Sequence, residues 1–244
     1  MLKFVYQPAI LAIVLLFFNG LPIFYNLAYT QDNKPEENFD NNLQKLIEKY
    51  LMENPEVILR SIQNLEKRQK KQAAKKAQEI LKSKRDFIQN DKFSFVSGNP
   101  KGDITLIEFV DYQCGFCKKS HKYIQKIVTE DKNIRLIYKE FPILGSGSIY
   151  ASRATIAAKK QGKYFELHEA LMNAQGRLDE NRILQLAQKS GIDTKKLLSD
   201  INDDQEIVGD YLGAVSQLAQ ELQINGTPAF IINNVILRGA VGEK

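Results

Sequence analysis

An apolar run, ITLIEFV, leads into Cys114-Gly115-Phe116-Cys117, and a second run, IRLIYKEF, follows one helix length later; this arrangement restricts the fold more than any other feature of the chain. The first run, residues 104–110, is largely β-branched and is bounded by Gly102-Asp103, the pattern of a strand buried on both faces. Asp111-Tyr112-Gln113 turns the chain, and Ile124, Ile127 and Val128 then recur at helical spacing. Strand, helix and strand in this order predict a βαβ unit with Cys114 at the carboxyl end of its first strand. A helix N-terminus offers free N–H groups and the positive end of the dipole, which can lower a thiol pKa from about 8.5 into the range ~3.5 to 7.5. Cys117, one turn on, faces the same side and can resolve a mixed disulfide within the same molecule.

Two other uses of these cysteines compete. A structural bridge across two residues closes almost the smallest possible loop and restricts the unfolded chain least. A soft metal such as Cu(I) would need His121, four residues after Cys117, as a third ligand, and closed zinc coordination would need a fourth. Otherwise His121 reads as a solvent-facing helix residue. With two cysteines and two histidines in 244 residues, the chain is neither a disulfide-stapled scaffold nor a multi-metal protein, and no cofactor is expected.

After Pro142, residues 144–148 lack the Lys-Ser/Thr ending of a phosphate-binding loop and read as a connector. Helices are expected over 148–160, 164–174, 180–190 and around 194–200, with Asp179 capping the third and Gly191 ending it. His168 lies inside the second and reads as a packing or surface residue. Helix 205–223 carries Val208, Tyr211, Leu212, Val215, Leu218, Ala219 and Leu222 at core spacing. Two short apolar runs, 229–232 and 235–237, flank Asn233-Asn234 and predict a hairpin whose turn accepts Asn at positive φ. Thr227-Pro228 precedes it, where a cis bond is expected.

The net charge of +5 is concentrated: residues 65–86 hold nine Lys or Arg against three acids, leaving the remainder at −1. No basic face is implied for the body, and nucleic acid is not an expected partner. At the N-terminus, Lys3 is the only charge before Asp32, and residues 9–18 are an unbroken apolar run of signal-peptide length. The expected organisation is a signal peptide or uncleaved anchor over 1–30, a linker over 31–39, a helical segment over 40–90 and a catalytic domain over 91–244. In the helical segment Asp40 caps a helix with a stripe of Leu43, Leu46, Ile47, Tyr50 and Leu51, and Asn54-Pro55 starts another with Ile58, Ile62 and Leu65. Two short stripes cannot bury themselves, so residues 40–65 are expected to oligomerise.

Over residues 93–239 the chain resembles the DsbA-like branch of the thioredoxin superfamily, through IEFVDYQCGFC, YKEFPILG, KYFELHEALM and GTPAFIIN. The resemblance implies an α/β thioredoxin-like fold with a helical insertion, behind the N-terminal helical stalk. It implies a redox-active disulfide in which Cys114 is the nucleophile and Cys117 the resolving cysteine. It places Thr227 and Pro228 beside them as the substrate-binding backbone, and gives Glu108 a role in shuttling protons or tuning Cys117. Residues 40–65, with YLMENPEVI, resemble the N-terminal helices of ScsC-type proteins.

The activity implied is that of an exported, periplasmic protein disulfide oxidoreductase, an oxidase or an isomerase. Its partners would be thiol-containing or misoxidised exported proteins and a membrane protein that resets the cysteine pair. The alternatives are a copper or soft-metal module using the same cysteines and an inactive scaffold built on the stalk. Gly115-Phe116 lacks the Pro-His of the strongest oxidants, leaving the redox direction open. The family adds a final helix after the hairpin; here Lys244 follows soon after it, so an uncovered sheet face is expected.

Overall fold

The computed structural model describes residues 35–240. The expected signal segment, 1–30, and the last four residues lie outside them. Helix α1, Pro35–Glu53, begins five residues before the expected cap Asp40, inside the predicted linker, because Pro35 already supplies the φ of a first helical position. It ends at Asn54, whose backbone N–H and side-chain amide both donate to Tyr50 O at 2.9 Å. Asn54 therefore closes α1 instead of capping α2, Glu56–Ser83. The chain divides into two compact units within α2, the first ending at Gln63 and the second starting at Asn64.

In the first unit Leu43, Leu46, Ile47, Tyr50, Ile58 and Ile62 are all exposed, as the uncovered stripes imply. In the second, the core starts well before residue 91: Leu81 of α2 and Ile88 of α3, Arg85–Gln89, are buried, with Ala77, Ile80 and Phe87 packed beside them. The last turns of α2 thus gain an apolar face as they reach the sheet.

The sheet has the order β1-β3-β2-β4-β5: β1 Phe95–Gly98, β2 Ile104–Val110, β3 Ile134–Glu140, β4 Ala229–Ile232 and β5 Val235–Arg238. Strands β2 and β3 are parallel through the crossover helix α4, Gly115–Glu130, and the other pairs are antiparallel. This is the predicted βαβ unit, and the hairpin pairs beside it. Asn233 has φ 52° in the turn, and its side chain and N–H bond to the backbone of Thr105, extending the β2–β4 ladder.

Side-chain alternation sorts the strands into two cores. Leu106, Val110, Leu136, Tyr138 and Phe230 face α4 and the insertion of α5 Ser146–Ala158, α6 Tyr164–Asn173, α7 Glu180–Lys189 and α8 Thr194–Asp203. Ile107, Phe109, Ile137, Ala229 and Ile231 face the end of α2, α3 and α9, Gln205–Glu221. Asp179 caps α7 as expected, accepting from Arg182 N at 2.8 Å. On the second face Lys139, fully buried, donates to Phe87 O and pairs with Asp91, fastening the α3–β1 segment to the sheet.

Between α4 and the hairpin, Ile124, Ile127, Phe230, Ile232 and Leu237 line an apolar cleft of about 170 Å³, with Ile127, Ile232 and Leu237 exposed.

Because Ile88 is a core residue, Ile88→Ala should destabilise the second unit by about 2–5 kcal/mol in urea unfolding. Ile58→Ala, on the exposed stripe, should leave that transition within about 0.5 kcal/mol of the parent. A neutral Ile88→Ala would show that α3 is not part of the core.

Candidate active site

Strand β2 delivers the chain to a loop built around Asp111. Its fully buried carboxylate accepts from Gln113 N at 2.8 Å, Ser148 Oγ at 2.7 Å, Ile143 N at 2.7 Å and Leu144 N at 2.9 Å. Its carbonyl accepts from Cys114 N at 3.1 Å. Four donors around one carboxylate offset its desolvation and tie the Cys114 loop to the 142–145 loop and the start of α5. From the sequence Asp111 reads only as a turn residue, since three of its four donors lie more than thirty positions away.

Cys114 is the N-cap of α4, and Cys117 and Thr227 approach its sulfur. Both cysteines are free thiols; Cys114 is 7% exposed and Cys117 fully buried, while Phe116 between them stands 61% exposed. Cys114 Sγ donates to Thr227 O at 3.1 Å, which brings the 225–228 loop against the sulfur, and the Thr227-Pro228 bond is cis.

The two thiols differ sharply in acidity. Cys114 is lowered to about 5, chiefly because the Cys117 thiol donates to its sulfur, helped by the Thr227 side chain and the N–H groups of Cys117 and Phe116, against partial burial. Cys117 is pushed up, first by burial, then by that same bond to Cys114 and by the charges of Cys114 and Glu108.

Glu108 sits in register between Tyr138 of β3 and Phe230 of β4, on the sheet face that packs against α4. It is fully buried and neither carboxylate oxygen has a partner. Burial, with Cys114 and Glu140 adding negative charge, raises it to about 8, so at neutral pH it is a protonated acid. The solvent-facing alternative for such a residue is ruled out by its burial.

His121 is not a solvent-facing residue: it is 3% exposed, and its Nε2 lies 2.6 Å from Glu169 Oε1 of α6. The α4 face that carries His121 packs on α6, which diverts the ring from the cysteines that the soft-metal alternative needs. Among the described residues no three His, Cys, Asp or Glu side chains converge as a metal site. His168 is a packing residue, fully buried, with Nδ1 3.0 Å from Tyr112 Oη.

A third buried acid, Glu140, escapes sequence reasoning altogether. Tyr112 and Tyr164 donate to its Oε1 at 2.8 and 2.5 Å, and Ser152 donates to its Oε2 at 2.7 Å. Burial raises it to about 7 against these bonds. Because Tyr112 also belongs to the loop before Cys114, the cluster anchors that loop from below.

Residues 105–243, more than half of the chain, match the model of the DSBA-like thioredoxin domain. The chain belongs to this family. Its α/β fold is thioredoxin-like. Residues 42–72 match the copper resistance protein ScsC N-terminal domain.

Among solved structures, a thioredoxin-like oxidoreductase from Silicibacter pomeroyi DSS-3 is 41% identical, with a TM-score of 0.62 over 64% of this chain and 90% of that one. The thiol-disulfide exchange protein alpha-DsbA2 of Wolbachia pipientis is 26% identical, TM-score 0.65, covering 69% and 91% of the respective chains. ScsC of Proteus mirabilis in a transitional conformation is 28% identical, TM-score 0.61, over 83% of this chain and 89% of that one. Curated relatives include a Na(+)/H(+) antiporter NhaA 1 of Salinispora arenicola, 26% identical over 146 residues, 57% of this chain; the chain spans about a fifth of that protein's length.

Alkylation of the reduced protein should rise with pH around a midpoint near 5, the value to which Cys114 is lowered. Cys117→Ala removes the largest contribution and should move the midpoint up toward the ordinary thiol range, while Cys117→Ser keeps a hydroxyl donor and should move it less. The folded reduced chain binds fewer protons at Cys114 than the unfolded chain does. Stability from this group therefore grows between about pH 5 and the ordinary thiol value of about 8.5, and is lost as pH falls through 5. A midpoint unmoved by Cys117→Ala would show that Cys117 does not donate to the thiolate.

Proposed function

We propose that the protein makes or rearranges disulfide bonds in exported polypeptides through the Cys114–Cys117 pair. The observation that carries this reading is the opposed acidity of the two thiols. In the oxidising direction a client thiolate attacks Cys114 Sγ of the protein disulfide. The new bond joins the client sulfur to Cys114, and the bond to Cys117 breaks. Cys117 leaves as a thiolate whose burial demands a proton, and protonated Glu108 supplies it. The client's second thiolate then attacks the client sulfur of the mixed disulfide, leaving a client disulfide and a Cys114 thiolate that the helix end stabilises. In the isomerising direction the Cys114 thiolate attacks a wrong client disulfide first, and a client thiol displaces it later. Thr227, against the Cys114 sulfur, offers backbone to pair with an extended client segment.

A stabilised thiolate favours the reduced pair, which makes the disulfide form an electron acceptor. Equilibration with glutathione buffers should place the potential between about −120 and −200 mV, the oxidase and isomerase range. A value near −270 mV would overturn the direction proposed and make the protein a reductant. Glu108→Gln, tested in the same buffers, should slow formation of the mixed disulfide from the oxidised protein below pH 8, where the native acid carries its proton. An unchanged rate would remove Glu108 from the proton path.

We further propose the organisation set out from the sequence: export directed by residues 1–30, a stalk, and a periplasmic catalytic body. No helix among the described residues is long and apolar enough to cross a membrane. Homo-oligomerisation through residues 40–65 is supported by the exposed stripes and by the similarity of residues 42–72 to the ScsC N-terminal domain. Light scattering should report a mass several times the 27.8 kDa of one full-length chain, less whatever a cleaved signal removes, and Ile47→Glu with Ile62→Glu should reduce it to a monomer. A monomeric parent protein would sink the stalk assignment.

A further inference from the structure

One cationic side chain of α5 is left without a partner among the described residues. Arg153 of α5 makes no hydrogen bond or ion pair with the described residues, and its Nε is buried with nothing to donate to. A guanidinium carries five N–H donors in a fixed fork that matches a carboxylate, so a half-buried one without acceptors is an incomplete pair. It lines a cavity of about 230 Å³ whose other walls are Phe141, Ile143, Ile149, Leu212 and Ser216. That volume is below the roughly 300–1,000 Å³ of pockets for cofactors and drug-sized molecules, and suits one side chain. Gly209 of α9 lies alongside: a Cβ built there would meet only the Arg153 Nη2, at 3.7 Å.

The cavity is fixed relative to the reactive sulfur. Its wall at Ile143 is held by the Asp111 carboxylate, 2.7 Å from Ile143 N, and the same residue's carbonyl accepts from Cys114 N. Gln113, next to Cys114, donates from its side chain to Leu144 O at 3.1 Å. Around the opening Ile143, Leu144 and Ile149 are exposed, an apolar margin on which a polypeptide can lie.

We propose that this cavity is a specificity pocket for client polypeptides. It takes a Glu or Asp side chain, the carboxylate pairing with Arg153 and its methylenes lying against Phe141, Ile149 and Leu212. The assignment extends the thiol-exchange reading by naming the clients: extended segments with an acidic residue near the reacting cysteine.

The test uses the full chain and fluorescent octapeptides in which the cysteine is replaced by serine, so that binding is read without sulfur chemistry. Each peptide carries Glu or Gln at one position around the serine, and affinity is measured by anisotropy. At one position the Glu peptide should bind at least about tenfold more tightly than its Gln twin, the range for a hydrogen-bonded charged group. Arg153→Met should erase that difference, and Arg153→Lys should restore part of it, both with melting temperatures close to the parent. Equal binding of Glu and Gln peptides at every position overturns the proposal. So does a Glu preference that survives Arg153→Met, or displacement of the Glu peptide by butyrate at matched concentration, which would make the pocket a site for free carboxylates. A Glu preference together with failure of the cysteine peptides to exchange would keep the pocket and remove the thiol-exchange reading.

Discussion

The active loop depends on one buried charge, the carboxylate of Asp111. A carboxylate removed from water without donors is costly, and this one is held by four, drawn from its own turn, from the 142–145 loop and from α5. Those bonds fix where β2 ends and where α4 begins, and so where the Cys114 sulfur stands against Thr227. The Glu140 cluster repeats the arrangement one layer deeper, with tyrosine and serine hydroxyls converging on a second buried acid and holding Tyr112 of the same loop. The loop is therefore rigid for electrostatic reasons, which preorganises a thiol pair for exchange.

With the loop fixed, the chemistry follows from unequal solvation. Cys114 is at the helix end, where N–H groups and the Cys117 thiol point at it, and holds charge cheaply. Cys117 and Glu108 are in the apolar space between α4 and the sheet and resist ionisation. One end of the pair is an attacking and leaving group, and the other needs a proton whenever its bond breaks. Glu108, raised to about 8, carries such a proton in the pH range where the protein would work.

Much of this was legible in the chain. The two apolar runs flanking the cysteine motif predict the parallel pair, and the Asn233-Asn234 hairpin and the core helix 205–223 were readable from spacing alone. Three things were not. The α2 residues Ala77, Ile80 and Leu81 could not be assigned to the core, because their apolar partners, Ile107 and Phe109 among them, are distant in sequence. His121 reads as exposed because the helix α6 that covers it is assembled by the insertion. Asp111 and Glu140 look like a turn residue and a strand end, since donors that give them meaning come from the 142–145 loop and α5 for the first and from α5 and α6 for the second.

The sequence by itself determined much of the local grammar: four of the five strands, where α4 starts, and that two cysteines share one helical turn at a positive dipole end. Periodicity, turn chemistry and spacing are properties of neighbours along the chain, so they survive without the fold. Only the tertiary structure decided which acids are stripped of water, which donors reach them, and which cation, Arg153, is left unpaired among the described residues. Those are outcomes of packing between separate segments of the chain, and desolvation is set by the whole surroundings of a group.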